Sequence, residues 1–480
     1  MRKLIISILA LGLICTVNTA FVSNQNEKLL RYTTAANQVV KDYNAENFSN
    51  IWNSFNQQLQ NQIKCDVFIK SFKNLKLKLG NITSIDRTPN IFYNYYVFKA
   101  HFKKLDLYLY ISLNDKNKFN YFTFLDHLPI VDTIKYPKVT DKTSIDELAK
   151  VYISQKVTAG LAIGIINNGK ESTHFYGVVK KGTDIKPNKN TEYQIGSITK
   201  TFTAIALLEM QEQGLLNVND SITKFLPKKI KTPSFNGKKI TLESLVTQTS
   251  GLPRIPGNFF KIIENPQNPF TSYTVVDLYN FLNSYKLTRA VGSKYEYSNL
   301  GFGLLGHILA IKSGTSYGNV IKKEITDKLG MHDTYIKLSP EQKKNMSQGY
   351  SNLGKPVEIW TSGILDGCFA INSTITDMLI YLKANINKSD SILGKAIYES
   401  HQVKFNPKKS WFRQASGWII SKTAGKDVIW HDGETGGYSS FIGFFKGTKT
   451  GFVVLSNSRV LVDVLGMKIL ERLAMDLHQN

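Results

Sequence analysis

The chain has 480 residues, 42% hydrophobic and 11% aromatic, which suits two or three domains of about 150 residues each and excludes bulk disorder. Its formal charge of +23 comes from lysines spread throughout, as in Lys228-Lys229, Lys238-Lys239, Lys322-Lys323 and Lys343-Lys344. With no long arginine-rich run, this reads as solvated surface; nucleic acid is not expected as a partner, and an anionic cell-wall polymer is a weak one.

Residues 1–20 read as a secretory signal peptide. Arg2-Lys3 supply the positive region, Leu4 to Ile14 the apolar run and Ala20 the cleavage point. The run is short for a membrane span, and Leu13-Ile14 lacks the small residues that lipidation at Cys15 would favour. No later stretch of about 18 apolar residues follows, so a secreted or periplasmic protein is expected, with no transmembrane span in the mature chain. Cys65 and Cys368 then remain, too few for a disulfide framework, and are expected as small buried hydrophobes.

Residues 28–127 form a first unit. Asn26 to Asn47, Phe48 to Ile63 and Val67 to Leu79 have helical spacing. Aromatic-rich runs at Ile91 to Phe98, Leu105 to Ile111 and Phe119 to Phe124 read as strands between Asn/Asp turns. Helices followed by an antiparallel sheet make an α+β unit. With Tyr43-Asn44-Ala45-Glu46-Asn47-Phe48, this element order resembles the small cone-shaped NTF2-like domains, which implies a binding or spacer role. Residues 128–140, with Pro129 and Pro137, read as a linker.

Residues 141–480 form a second unit. Ala159 to Ile166, the Asn167-Asn168-Gly169-Lys170 turn and His174 to Val179 read as a hairpin. Strands recur late, at Gly417 to Ile420, Val428 to Trp430, Phe441 to Phe445 and Gly451 to Leu455, before a helix from Val460 to His478. A helical middle lies between. The expectation is a sheet assembled from both ends of the unit and covered by helices.

The chemistry centres on Ser197-Ile198-Thr199-Lys200 at the opening turn of a helix. Residues three apart share a helix face, so the Lys200 amine can reach the Ser197 hydroxyl, and serine needs such a base to act as a nucleophile. A helix start also offers unpaired N–H groups to a developing oxyanion. Four letters do not suffice: Ser221-Ile222-Thr223-Lys224 repeats them, but follows Asp220 and soon meets Pro227, so it reads as a short capped turn. Tyr295-Glu296-Tyr297-Ser298-Asn299 precedes a glycine-rich helix start, Thr249 to Arg254 forms a helix-ending loop, and Trp430-His431-Asp432-Gly433-Glu434 follows a strand. No Gly-x-Ser-x-Gly elbow, phosphate-binding loop or His-Glu-x-x-His motif occurs, and the histidines are scattered, so neither cofactor nor metal is expected.

In the order Ser197/Lys200, Tyr297/Asn299, His431/Gly433, residues 141–480 resemble the serine β-lactamase and penicillin-binding superfamily, in its branch of class C β-lactamases, D-alanyl-D-alanine carboxypeptidases and esterases. The resemblance implies an α+β fold of antiparallel sheet flanked by helices and an acyl-enzyme at Ser197. Lys200 and Tyr297 would move protons, the Lys200 pKa lowered by burial and another nearby cation and the Tyr297 pKa by adjacent cations. Asn299 would orient Lys200 and the substrate amide. His431, where many relatives carry lysine, would donate a hydrogen bond to Tyr297 or a substrate carboxylate as a pH-sensitive cation. Gly433 would let the substrate approach the strand, and the N–H groups of Ser197 and Glu434 would form an oxyanion hole. A small molecule or wall-derived peptide is the implied substrate, and the histidine weakens the inference to β-lactams in particular. A non-catalytic wall-peptide-binding protein is the alternative. Substrate contacts are expected from loops near 253–275 and 345–367.

Overall fold

The computed structural model describes residues 23–92, 95–125, 134–259, 262–265, 267–408 and 410–479. The signal segment and the first part of the linker lie outside these residues. The chain divides into two compact units, Met1–Asp132 and Thr133–Asn480. Among the described residues no helix is long and apolar enough to cross a membrane.

In the first unit, helices Ser23–Asn44, Phe48–Asn53, Gln57–Gln62 and Cys65–Leu79 precede an antiparallel sheet. The sheet runs in the order Ile82–Ile85, Tyr95–Phe102, Asp106–Leu113, Phe119–Leu125, with Asn90–Phe92 also paired to Tyr95–Phe102. Tyr43 anchors the core between the layers, meeting the rings of Phe48, Phe72 and Phe102 edge-on at 5.8, 6.0 and 5.5 Å. Edge-to-face contacts of this kind suit the aromatic quadrupole.

Three expectations for this unit need correction. The single helix expected from Phe48 to Ile63 is broken at Phe55, which bridges to Phe119, while the Asn56 amide donates to the Phe119 carbonyl at 2.9 Å. The sheet edge recruits the chain there, and the Asn56 side chain caps the next helix by accepting from Leu59 N. The run from Ile91 to Phe98 is a hairpin rather than one strand, with Ile91 opposite Tyr96. Cys65 is only half-buried.

The second unit is built on a seven-stranded antiparallel sheet. Its order is Arg413–Gln414, Ile419–Thr423, Lys426–Glu434, Ser439–Phe445, Gly451–Ser456, Gly160–Asn167, Lys170–Gly177. The earliest strands close the sheet beside the latest, as expected from the sequence. Asn168 and Gly169, at φ 50° and 83°, make the two-residue turn of the first hairpin, where both positions need the left-handed region. The C-terminal helix Asp463–Gln479 packs on one face; on the other, Leu379 of helix Ile375–Ile386 fills the space beside Gly164. A small sheet of Thr334–Tyr335, Asn372–Thr374 and Glu192–Gln194, not foreseen, delivers the chain to Ser197.

Helix Thr199–Glu212 runs through the centre, buried at every position from Thr199 to Met210. Its inward hydroxyls are satisfied: Thr201 Oγ1 lies 2.8 Å from the Tyr381 hydroxyl and Thr203 Oγ1 2.6 Å from that of Tyr317. Phe202 stacks on Tyr381 with centroids 3.9 Å apart. Truncating a fully buried phenylalanine costs about 3–5 kcal/mol. Phe202→Ala should therefore lower the denaturant midpoint of the second unit by a corresponding amount.

Candidate active site

Ser197 sits in a 3₁₀ turn, Gly196–Ile198, that runs directly into helix Thr199–Glu212. The turn is clamped against the sheet. Ile195 donates its amide to the Ile371 carbonyl at 3.0 Å, and its own carbonyl accepts from Ser440 Oγ at 2.8 Å. Gly196 has φ 52°, and a Cβ there would lie 2.5 Å from the Glu434 nitrogen. On the facing strand, a Cβ at Gly433 would lie 2.1 Å from the Ile195 carbonyl oxygen. The expectation that Gly433 makes room for substrate is thus corrected: its missing side chain makes room for the serine turn.

The same strand aims Glu434 N–H at that turn. Thr435 N donates to Tyr438 O at 3.0 Å across the hairpin, so that pair is hydrogen-bonded. Pairs alternate along an antiparallel ladder, so Glu434 and Ser439 form a non-bonded pair and the Glu434 N–H points away from strand Ser439–Phe445. The strand on its other side, Ile419–Thr423, pairs only as far as Trp430. Beyond it, the Glu434 N–H faces Gly196 and Ser197. The Ser197 N–H, at a helix start, has no intrahelical acceptor. The Glu434 carboxylate itself accepts from Arg459 Nε at 2.5 Å.

Lys200 is fully buried. Its Nζ lies 2.9 Å from Ser197 Oγ and 2.8 Å from the Cys368 carbonyl oxygen. Burial pushes its pKa down to about 7, and the Arg254 guanidinium pushes the same way. Asn299 was expected to orient this amine, but the Cys368 carbonyl does so. Asn299 starts the helix Asn299–Ser313, donating its backbone N–H to the Arg254 carbonyl at 3.0 Å, and its Oδ1 is buried without a partner.

Tyr297 packs against two basic side chains. Lys200 Nζ and Arg254 Cζ each stand 4.8 Å from its ring centroid. The expected lowering of its pKa is corrected: burial raises it, outweighing the pull of Arg254 and of its hydrogen bond with Ser197. Tyr297 is a neutral phenol that can donate.

His431 is also corrected. It is buried, its ring 6.3 Å from that of Tyr297, and burial with the nearby Lys200 pushes its pKa down to about 3. Its Nδ1 lies 2.6 Å from the Asp432 carbonyl oxygen. A carbonyl can only accept, so in the neutral ring the proton is on Nδ1 and Nε2 offers a lone pair. It is an acceptor, not the cation that a substrate carboxylate needs.

Strand alternation turns Asp432 to the opposite face, with its partner Phe441, against the C-terminal helix. There it meets Asp463 at the start of that helix; burial raises both pKa values, helped by the Glu434 charge at Asp432 and by the Asp432 charge at Asp463, and Asp463 Oδ2 has no hydrogen-bond partner. Ser221, by contrast, caps the short turn Ile222–Lys224 by accepting from Thr223 N, and Lys224 bonds Asp220. Sequence reasoning missed the Cys368 carbonyl, which no side-chain pattern could signal, and the part of Arg254, whose signal was a lone arginine ending the Thr249 to Arg254 loop.

The loops expected to meet substrate join beside the site. Trp360 Nε1 donates to the Gln267 carbonyl at 2.8 Å, and Asn268 Nδ2 reaches Thr361 Oγ1 at 3.1 Å.

A family model described as beta-lactamase matches residues 145–475. The chain belongs to that family. A beta-lactamase of Providencia stuartii is 30% identical over 242 residues, which are 50% of this chain and 59% of that protein. The D-alanyl-D-alanine-carboxypeptidase/endopeptidase AmpH of Escherichia coli (strain K12) is 35% identical over 184 residues, 38% of this chain and 46% of that protein. The chain thus spans about half the length of these relatives. A solved class C beta-lactamase superposes with a TM-score of 0.60 at 25% identity, covering 68% of this chain and 94% of its own. The mixed α+β fold of the second unit is therefore that of the beta-lactamase family, whose named relatives are serine hydrolases.

Among Ser197, Lys200, Tyr297 and His431, the Lys200 amine is the group whose pKa is held near 7. Activity as kcat/KM should rise with pH through an inflection near 7, falling about tenfold per pH unit below it. His431→Gln should leave that inflection in place, because the imidazole is already neutral. Gly433→Ala should drive a methyl group into the Ile195 carbonyl and displace the serine turn. A displacement near 1 Å costs on the order of 100-fold. A loss of that size in kcat/KM, with the circular dichroism spectrum unchanged, is the expected outcome.

Proposed function

We propose that the second unit is a secreted serine hydrolase that forms an acyl-enzyme at Ser197 on amide or ester substrates: a β-lactam, a D-alanyl-D-alanine peptide or a small ester. The observation that carries this reading is the 2.9 Å contact between Ser197 Oγ and a buried Lys200 amine whose pKa is pushed down to about 7. At neutral pH much of that amine is uncharged and able to accept the serine proton, the state a general base must reach.

The steps follow from the positions. Ser197 Oγ attacks the substrate carbonyl as its proton passes to Lys200. The carbonyl oxygen becomes an oxyanion between the N–H groups of Ser197 and Glu434; one such donor is commonly worth about 100- to 1,000-fold in rate. Tyr297, a neutral phenol bonded to Ser197, donates to the leaving nitrogen or oxygen and recovers its proton from the lysine. Water then attacks the acyl-serine with the same groups in reverse. His431, neutral and with Nδ1 committed to the Asp432 carbonyl, packs beside the phenol, and the unpaired Asn299 Oδ1 is buried at the neighbouring helix start.

The matched relatives include β-lactamases and a carboxypeptidase/endopeptidase, which supports the substrate classes without choosing among them. Residues 1–20 support export as a signal peptide. The first unit, with helices ahead of an antiparallel sheet, fits an NTF2-like binding or spacer module.

A fluorophosphonate probe should label the wild type and leave Ser197→Ala unlabelled. Equal labelling of both would sink the assignment. Lys200→Met should cut acylation by about 100- to 10,000-fold, the range of a general base.

A further inference from the structure

We propose that Arg254 is the specificity-determining cation of this site, holding a carboxylate on the leaving-group side of the substrate. This rests on the acyl-enzyme reading above.

The second unit has five arginines: Arg254, Arg289, Arg413, Arg459 and Arg472. Four are paired with carboxylates, to Glu296, Asp427, Glu434 and Asp476. For Arg254 the described residues provide no carboxylate within 4.0 Å, and its Nε is buried without a hydrogen-bond partner. A partly buried guanidinium with an unused donor has no contacting anion to offset its desolvation, since the Asp432 carboxylate acts on it only at longer range. Its planar fork suits two oxygens of one carboxylate.

Its place is fixed. The Arg254 carbonyl accepts from the backbone N–H groups of Asn299 and Leu300, at 3.0 and 3.2 Å. Ser298 Oγ donates to the Pro253 carbonyl at 2.6 Å, and Ser298 N donates to Gln248 Oε1 at 2.7 Å. Segments 248–254 and 296–300 thus form one braced piece carrying both Tyr297 and Arg254. Lys200 and Arg254 both stand against the Tyr297 ring, each 4.8 Å from its centroid. Since Tyr297 delivers a proton to the leaving group, the guanidinium beside it belongs to that side of the scissile bond. The facing strand offers no substitute: His431 is neutral with an outward lone pair, and the Asp432 side chain lies on the far face.

The rival role for Arg254 is support alone, stacking on Tyr297 and tuning Lys200. That role affects all substrates alike, which sets the test. Two aryl esters are compared, one whose leaving phenol carries a meta-carboxylate and one with a meta-carboxamide. Wild type, Arg254→Met and Arg254→Lys are assayed in parallel with fluorophosphonate labelling. The wild type should prefer the carboxylate ester. In Arg254→Met the carboxylate-to-carboxamide ratio of kcat/KM should fall at least about 30-fold, chiefly through KM, and Arg254→Lys should restore part of it. A parallel fall on both esters, a wild type without preference, or turnover of neither ester while Ser197 still takes the label would each overturn the proposal and leave the hydrolase reading standing. Failure of the wild type to label at Ser197 overturns both.

Discussion

The site depends on keeping the Lys200 ammonium away from water. An amine in solution is charged at neutral pH and useless as a base; a fully buried one favours its neutral form. The rest of the second unit can be read as the enclosure that achieves this. The central helix is buried on every side, its hydroxyls tied to Tyr317 and Tyr381. The Cys368 carbonyl gives the amine one fixed partner and leaves the serine oxygen as the other. That carbonyl holds the amine in place without the opposing charge that would hold its proton on.

The second constraint is steric. Two glycines on different elements, Gly196 before the serine and Gly433 on the facing strand, let two backbones approach more closely than any side chain would allow. The approach brings two backbone N–H groups to one side of Ser197. Helix start and sheet edge are therefore brought together by close main-chain contact, which accounts for both glycines without reference to substrate.

Much of this was legible in the sequence, and the failures have a common cause. Ser197, Lys200, Tyr297 and His431 were found because local spacing and motif order select them, and the structure gathers them in one place. Their protonation states were not legible. Tyr297 was expected to respond to adjacent cations and His431 to be a pH-sensitive cation, but desolvation dominates both, and burial is decided by residues far away in the chain. Asn299 was credited with a contact that a backbone carbonyl makes. In the first unit, one run of helical spacing hid a break at Phe55, where pairing with Phe119 outweighs local preference. The aromatic run from Ile91 hid a hairpin because both of its arms share the same composition.

The carboxyl pair behind the catalytic strand adds a thermodynamic dimension. Asp432 and Asp463 have folded-state pKa values above the ordinary carboxylate range, so their contribution to stability is full in acid and is lost as pH rises through those raised values. Lys200 has the opposite shift: its contribution is absent below about 7 and recovers only as pH climbs towards its unfolded value. The two shifts pull stability in opposite directions with pH. Acid favours the carboxyl pair and alkali the lysine, so no single pH satisfies both buried sites at once.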